Sequence, residues 1–501
     1  MYIECMSKRS RLGTADKDFF RKVSEAAFAN PFGKDRTELD LKIAGRPQGY
    51  RSGLLEEVLQ KVAARVHALE SEGLADIRSY EGNDLDLAQT IFLFDIYHRY
   101  VDDFDGLIRE QTRSGDSPCR IKFVNNALSM LAKRGFNHER SLRLFAIFYQ
   151  IRRAYYFIDR GLVGQSPSMM TLRMHLWNSV FTHNMKWYDS FLCDRMEDFS
   201  TLLLGETGVG KGAAAAAIGR SGFIPFDPDK GCFAGSFTRN FISINLSQYH
   251  EALIESELFG HKKGSFTGAV DNHEGLLSRC TPNGSIFLDE IGDVSTQIQI
   301  KLLQVLQERT FSPVGSHEKL RFSGRVIAAT NKSIDELRRE NKFRDDFFYR
   351  LCSDVISVPT LRQRIQEDGR ELDTLLSYLI GRMIERPEDE LVSMVRKALD
   401  RDIGKQYHWP GNVRELEQAV RRILITRKYK EDSRTYAPDL RERLIKGIDT
   451  GTLNANAVVR SYCKLLYQQY HTYEEVARRA GLDRRTVKKH ILFEREESGN
   501  P

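Results

Sequence analysis

The sequence predicts a multidomain protein. It has a helical N-terminal domain, an α/β core around a phosphate-binding loop, a helical stretch behind that core, and an all-α helix-turn-helix at the C-terminal end. Three observations carry this reading. Apolar residues recur at helical spacing through residues 1–160, as in Leu142, Phe145, Phe148, Ile151 and Tyr155, or Ile91, Phe94, Tyr97 and Val101. Over 161–360, four short apolar runs alternate with helical patterns: Thr201–Leu204, Phe241–Asn245, Ser285–Leu288 and Val326–Ala329. Such runs read as buried parallel strands. A glycine-rich turn, Gly205–Gly212, follows the first run and opens an alanine-rich helix. Helical periodicity returns over 361–430, and a charged segment, Arg427–Arg434, leads into a linker at 431–454. The last stretch, 455–501, carries a small helical module at 455–493.

Whole-chain properties narrow the class. The 501 residues are 41% hydrophobic and 29% charged, which fits a soluble, ordered protein of roughly two to four domains. A formal net charge of +6 permits nucleic-acid binding without arguing for it. Seven cysteines (Cys5, Cys119, Cys193, Cys232, Cys280, Cys352, Cys463) are scattered and never form a C-x-x-C pair. That pattern suggests reduced thiols, with neither a zinc site nor a disulfide framework, and hence a cytoplasmic location. The opening MYIECMSKRSRLG has no apolar h-region, and no run of about 18 apolar residues follows, so neither a signal peptide nor a membrane span is expected. No internal repeat or low-complexity tract is present; Ala213–Ala217 reads as a helix packed closely on the sheet.

The strand–turn–helix context of Gly205-Glu206-Thr207-Gly208-Val209-Gly210-Lys211-Gly212 is the one a P-loop requires. Glycines let backbone N–H groups turn toward phosphates, and the helix N-terminus adds positive potential. Lys211 would reach the β- and γ-phosphates of a nucleotide. The hydroxyl residue that commonly follows the lysine is replaced by Gly212. Ser285–Leu288 ends in Asp289-Glu290: Asp289 would hold Mg2+, directly or through water, and Glu290 would orient and deprotonate the attacking water. A bland alternative, two solvated acids at a strand end, is common in isolation. Val326–Ala329 ends in Thr330-Asn331, where a polar side chain could contact the γ-phosphate or the water. Ligands bind at strand ends of open α/β sheets, and three strands delivering a lysine, an Asp-Glu pair and an asparagine in this order are hard to assign to chance.

Between the P-loop and the acidic pair lies Gly264-Ser265-Phe266-Thr267-Gly268-Ala269, one Phe among small residues. It reads as a flexible loop presenting a single apolar tip. Arg344 and Arg350 follow in Phe343–Leu351. Arginines supplied across a subunit boundary can stabilise a transferring phosphoryl group. The alternative is a pair of surface arginines held by Asp345 and Asp346.

With these residues in place, the chain resembles the AAA+ ATPases that activate bacterial sigma-54 RNA polymerase, the enhancer-binding proteins. The resemblance covers about 161–430 and the C-terminal module. It rests on Val163-Gly164-Gln165-Ser166-Pro167, the Walker A loop, Ser256-Glu257-Leu258-Phe259-Gly260-His261, the GAFTGA-type loop Gly264–Ala269, and Walker B at Asp289-Glu290. It continues through Ala328-Ala329-Thr330-Asn331, Phe343–Leu351 and Trp409-Pro410-Gly411-Asn412-Val413-Arg414-Glu415-Leu416. The resemblance implies an AAA+ core at 161–360 with a helical lid at 361–430, ATP as substrate and Mg2+ as its ion. By it, Asn245 is the switch asparagine that pairs with Glu290, Asn331 falls at sensor I and Arg414 at sensor II. Arg344 and Arg350 match trans-acting arginine fingers, which implies a ring, typically a hexamer, with a dimer as the possible inactive form. Gly264–Ala269 matches the loop that touches sigma-54, with Phe266 and Thr267 at its tip.

The departures are local. Gly212 stands where the family usually has Glu, Ser265 where Ala is usual, and Leu277-Ser278 where a Phe-Glu pair is usual. Residues 184–200 and part of 221–240 look like insertions.

At the C-terminal end, Thr472-Tyr473-Glu474-Glu475 is a possible capping box, and Ala477, Gly481 and Val487 are spaced to pack two helices around a tight turn. Asp483 would cap the second helix, whose Arg484, Arg485, Thr486, Lys488 and Lys489 would face phosphates and base edges of double-stranded enhancer DNA. A basic solvated hairpin is the bland alternative; the module resembles the Fis-type end of the family. The preceding helix, Val458–Tyr470, could supply a dimer contact. In the N-terminal 160 residues no receiver, GAF, PAS or ACT pattern is recognised, and position alone suggests a regulatory domain. Asp102, Asp103 and Asp105 near His98 could be imagined as metal ligands, but read better as the solvated face of an amphipathic helix. Phe92, Phe94, Tyr97 and Tyr100 read as core.

The leading expectation is an ATP-driven activator that binds enhancer DNA and remodels the sigma-54 RNA polymerase holoenzyme, with no membrane partner. Two alternatives have different outputs: a DNA-bound regulator whose ring hydrolyses poorly and acts without sigma-54, and an AAA+ remodeller of another protein tethered by its helix-turn-helix.

Overall fold

A computed structural model describes residues 11–404, 407–429, 440–449 and 451–492. The first ten residues with Cys5, most of the charged segment ending at Arg434, and the chain from residue 493 lie outside the described residues. The chain divides into two compact units, Met1–Lys428 and Tyr429–Pro501. Among the described residues no helix is long and apolar enough to cross a membrane.

The first unit is centred on a five-stranded parallel sheet. Its strands are β1 (Thr201–Leu204), β4 (Phe241–Asn245), β5 (Ser285–Asp289), β8 (Arg325–Thr330) and β9 (Asp354–Ser357), in the order β4-β5-β8-β1-β9. Two short antiparallel pairs stand apart: β2 (Phe226–Asp227) with β3 (Cys232–Phe233), and β6 (Thr310–Phe311) with β7 (Leu320–Arg321). All six residues of β8 are buried, as expected of a central strand covered on both faces. The helix Lys211–Gly219 follows the P-loop and buries Ala214, Ala215 and Ala217, so its small side chains let it lie close to the sheet. This is a multidomain architecture: N-terminal helices, a parallel-sheet α/β core, a helical region behind it and C-terminal helices.

Most of the described N-terminal residues are helical, packed around two cores. Phe20, Val58, Val62, Val66, Ile91 and Phe92 form one core. Phe104, Phe145, Phe148 and Tyr149 form a second, which also takes in Phe226, Phe233 and Phe237 from the α/β region. The helix His138–Gly161 lies in the second core and reaches the core on the sheet through Ala154 and Ile158. Its period predicts one apolar face, yet it is buried continuously from Leu144 to Gln150. It is covered on one side by N-terminal helices and on the other by the α/β region, and a helix apolar on all sides is one packed on all sides.

The two segments that look like insertions are the ones that meet this helix. From 184–200, Asp189 accepts from Arg140 (2.7 Å) and Arg143 (3.2 Å). From 221–240, the Phe233 ring stacks on Tyr149 with centroids 4.1 Å apart, and Phe237 packs edge-on against Phe157 at 5.1 Å. Arg153, fully buried, donates to the carbonyls of Arg220 (2.6 Å) and Gly222 (2.7 Å).

One expectation for this region is corrected. Asp102 and Asp103 are exposed, but Asp105 is not on a solvated face: it is buried and held bidentately by Arg152 at 2.6 and 2.7 Å. His98 is drawn away from any ligand role. Its Nδ1 bonds the Phe94 carbonyl at 2.9 Å, and burial pushes its pKa down to about 4. Among the described residues no group of three or more His, Cys, Asp or Glu is placed to hold a metal ion.

The second unit contains the helices Leu440–Asp449, Ala455–Tyr470, Tyr473–Ala480 and Arg484–Leu492. Cys463, Leu466, Val476 and Val487 form its small core. Asp483 accepts from the backbone N–H of Arg485 (2.7 Å) and Thr486 (3.2 Å), so it caps the last helix as its position predicts. Thr472 does not complete a capping box: its side chain makes no cap bond, and Glu475 is drawn instead to Arg478 and Arg479.

Candidate nucleotide site and output loop

The carboxyl ends of β1, β4 and β5 converge on a cavity of about 510 Å3 lined by the P-loop, Asn245, Asp289, Glu290 and Arg414. The loop holds tight turns, with Gly208 at φ 81°, and the helix begins at Lys211. Lys211 Nζ donates to the carbonyls of Gly205 (2.8 Å) and Glu206 (3.1 Å). Burial pushes the Lys211 ammonium below its ordinary pKa, against the opposing pull of Glu290 and Asp289.

Parallel register sets Asn245 beside Asp289 and Asp289 beside Ala329. Burial pushes the Asp289 carboxyl above its ordinary pKa, and the charges of Lys211 and Arg414 pull it back. A buried carboxylate in that position gains from a cation. It is a hard oxygen donor of the kind Mg2+ takes when the remaining ligands are water and phosphate, so the residues fit this ion. Glu290 follows with φ 56°, a left-handed backbone uncommon for a non-glycine residue. Its Oε2 accepts from the Asn331 N–H at 3.2 Å, and Asn331 Nδ2 donates to Thr207 Oγ1 at 2.9 Å. Glu290, Asn331 and the P-loop are thus one connected group. Asn245 stands apart from it. The resemblance implies a pairing with Glu290, but the Asn245 Oδ1 accepts from Ser247 N (3.0 Å) and Oγ (2.7 Å), capping the turn that follows β4.

The region behind the core closes directly on the P-loop. A Cβ at Gly208 would lie 2.3 Å from the Gly411 carbonyl oxygen, so only glycine permits this approach. Val413 N–H donates to the Gly208 carbonyl at 3.1 Å. Asn412, fully buried with φ 53°, is the fastener that the sequence did not single out. Its Nδ2 donates to Glu206 Oε2 and the Thr207 carbonyl, both at 3.1 Å, and its Oδ1 accepts from Leu361 N–H at 2.8 Å. Glu206 also pairs with Arg362, so its side chain faces the lid. A buried ion pair, Arg364–Glu371 at 2.7 Å, ties in Val163 and Gln165: Arg364 donates to the Val163 carbonyl (2.6 Å) and Glu371 accepts from Gln165 N–H (2.8 Å).

The six-residue loop rises between β4 and β5. The Gly264 N–H donates to the Ala269 carbonyl at 2.8 Å, closing its base. Phe266 is 41% exposed, with its ring edge-on to His261 at 4.9 Å between centroids. Thr267 is exposed. Ser265 points inward against Gly315, where an added Cβ would come within 2.5 Å of the Ser265 Cβ, and its Oγ is buried without a partner.

Comparison with known families agrees with this geometry. Residues 189–357 match the Sigma-54 interaction domain, and residues 367–451 match the AAA+ ATPase lid domain. Residues 189–357 are thus a sigma-54 interaction domain, followed by an AAA+ lid domain. The transcriptional regulatory protein ZraR of Salmonella typhimurium is 36% identical over 271 residues, 54% of this chain and 54% of that protein. The Nif-specific regulatory protein of Azotobacter vinelandii is 36% identical over 278 residues, 54% of this chain and 46% of that protein. The chain spans about half the length of these curated relatives. Among solved structures, NtrX from Brucella abortus in complex with ATP aligns at 18% identity and a TM-score of 0.41, over 74% of this chain and 80% of that one.

Within the sigma-54 interaction domain, Arg344 and Arg350 lie away from the residues that line the nucleotide cavity. Arg344 pairs with Asp346 at 2.7 Å, and Asp345 is taken by Arg338 at 2.7 Å. Arg350 donates to the Leu306 carbonyl at 2.9 Å, beside Tyr349, which is 71% exposed. In the second unit, Arg484, Arg485, Lys488 and Lys489 are exposed on the last helix, and Thr486 is half-buried against Asp483.

Proposed function

We propose that this chain is a sigma-54-dependent transcription activator of the cytoplasm. It binds double-stranded enhancer DNA, assembles as a ring (typically a hexamer, with a dimer as an inactive form), and uses ATP hydrolysis to remodel the sigma-54 RNA polymerase closed complex into an open one. The observation that carries this reading is the path of the backbone. β4 ends at Asn245, the chain runs through the helix Glu251–Phe259 into Gly264–Ala269, and it returns through Leu276–Arg279 to Asp289-Glu290. Both stems of the loop are therefore rooted at the nucleotide cavity.

In this reading Gly205–Gly212 cradles the phosphates, Lys211 pairs with the β- and γ-phosphates, and Arg414 senses them from the lid. A Mg2+ ion at Asp289, when bound, neutralises phosphate charge. Glu290 takes the proton of the attacking water, held in place by the Asn331 N–H. Asn245 leaves Ser247 for Glu290 when the nucleotide state changes, and that movement reaches the loop through its stem. Arg344 and Arg350 complete the site of a neighbouring subunit. Phe266 and Thr267 engage sigma-54, and Arg484, Arg485, Thr486, Lys488 and Lys489 engage DNA. The N-terminal helices regulate the ring.

In vitro transcription with sigma-54 holoenzyme, with and without ATP, tests the whole. Thr267→Ala should keep ATPase activity and lose open-complex formation; transcription that survives the change removes the loop from its assigned role. Hydrolysis without any ATP-dependent opening would favour a DNA-tethered AAA+ regulator or remodeller acting independently of sigma-54.

A further inference from the structure

A second cavity, of about 280 Å3, lies at the opposite ends of the strands from the nucleotide site. Its walls come chiefly from three places, with Asp194, Glu197 and Arg321 also in the lining. The helix His138–Gly161 gives Gln150, the segment after the helix Pro167–Phe181 gives Tyr188 and Cys193, and the first residues of β5 and β8 give Ser285 and Arg325. Whatever fills it touches the N-terminal helices and the α/β sheet at once. Its volume equals that of roughly nine water molecules in the liquid, the scale of a small metabolite.

Two polar groups at this cavity lack the partner that burial calls for. Gln150 is fully buried. Its Nε2 donates to Tyr188 Oη (2.6 Å) and to the Ser221 carbonyl (3.0 Å), which fixes the orientation of the amide. Its Oε1 is left with no donor. Arg325 is the second. Its Nε donates to the Phe199 carbonyl (2.8 Å), its Nη1 to the Ser179 carbonyl (2.8 Å), and its Nη2 to Ser179 Oγ and Thr201 Oγ1 (both 2.9 Å). A guanidinium has five N–H donors, so one remains. No carboxylate among the described residues forms an ion pair with Arg325, and burial pushes its pKa down to about 10. Asp354 acts on it electrostatically without forming an ion pair, and Glu197 on the cavity wall is drawn to Arg321, so a bound anion would offset what remains of the cost of burying this cation.

We propose that this cavity binds a small carboxylate that also carries an N–H or O–H donor, an amino acid or a 2-hydroxy acid, with its carboxylate at Arg325 and its donor at Gln150 Oε1. The two lining groups, Gln150 Oε1 and Arg325, ask for different partners, and this class supplies both in one small molecule. The site is independent of the output loop and of whether sigma-54 is the target.

The test uses the full chain, with thermal unfolding and titration calorimetry against the twenty common L-amino acids and against lactate, glycerate and malate. Acetate, which has no donor, and ethanolamine, which has no carboxylate, are the comparison probes. At least one amino or hydroxy acid should bind saturably and raise Tm, with acetate and ethanolamine at least about tenfold weaker. Asn283→Trp and Ser323→Trp each fill the cavity from its partly exposed rim, and each should weaken that binding at least about tenfold while the free protein still unfolds cooperatively. Absence of binding across the whole panel overturns the proposal. So does binding that survives both tryptophan variants, or acetate binding as tightly as the best acid.

Discussion

Asn331 joins the Walker B carboxylate to the P-loop: its N–H reaches Glu290 Oε2 at 3.2 Å while its Nδ2 donates to Thr207 Oγ1 at 2.9 Å. One residue thus fixes both Glu290 and the loop that would hold the phosphates. Asn331→Ala keeps the backbone bond to Glu290 and removes the tether to Thr207. It should lower ATP turnover roughly tenfold or more with little change in nucleotide affinity, whereas Glu290→Gln should lower turnover by about 10²–10⁴-fold and retain nucleotide. Steady-state hydrolysis beside equilibrium nucleotide binding separates the two. Turnover undiminished in Glu290→Gln would remove Glu290 as the base.

Asn412 ties the lid to the P-loop through Glu206 and the Thr207 carbonyl, and its backbone sits at φ 53°. Asn412→Ala leaves the Leu361 N–H unpaired in a buried place and puts a less tolerant residue into a left-handed conformation. The loss should be about 2–4 kcal/mol. Asn412→Gly keeps the backbone at ease and loses only the side-chain bonds, so it should be less destabilising by about 1 kcal/mol. Chemical denaturation of both variants measures the difference. Equal losses would show that the positive φ stores no strain.

Asp289 makes the pH dependence of the site asymmetric. Its folded-state pKa is raised by burial, so the native state holds its proton at a higher pH than the unfolded chain does. Native stability therefore falls as pH rises from the ordinary carboxylate range through the raised value, and stays lower above it. Asp289→Asn removes the buried charge. Without nucleotide it should melt higher than the parent at neutral pH, and the gap should close below the ordinary carboxylate range. The same variant should lose the Tm increase caused by Mg2+ with ATP. A parent that melts higher than Asp289→Asn at pH 7 without ligand would contradict this ordering.

Much of this was legible in the sequence because the signals are local. Four of the five strands of the sheet are continuous apolar runs, and the P-loop, Asp289-Glu290 and Asn331 each sit at the end of one. β9 was not legible: Asp354-Val355-Ile356-Ser357 has only two apolar residues between polar ones, too short a run to read. Asn412 lies in a motif that was recognised, but its partners Glu206 and Thr207 are 206 and 205 residues away in sequence, and no local pattern reports such a bond. In the helix His138–Gly161, Arg152 pairs with buried Asp105 and Arg153 caps carbonyls of Arg220 and Gly222, contacts that no local pattern reports. A charged residue in a sequence does not announce whether water or a buried partner satisfies it.

Ser265 gives the sharpest test of the output loop. It stands where the resembling family has Ala, and the hydroxyl brings no hydrogen bond: its Oγ is buried without a partner, pressed toward Gly315. A buried hydroxyl without a partner costs about 1–3 kcal/mol of desolvation, part of which returns when the oxygen is removed. Ser265→Ala should therefore leave the fold intact and stabilise it by up to about 1 kcal/mol, read as a higher Tm. Because the base of the loop is closed by backbone atoms, Gly264 N–H to the Ala269 carbonyl, the placement of Phe266 and Thr267 should be unaffected. Gly315→Ala makes the opposite change at the same contact. It would drive a methyl into Ser265 at a residue with φ 75°, and should destabilise the loop and displace Phe266 from His261. If Ser265→Ala lowers Tm instead, the hydroxyl has a partner that matters, and the small-for-small difference at this position is a functional one.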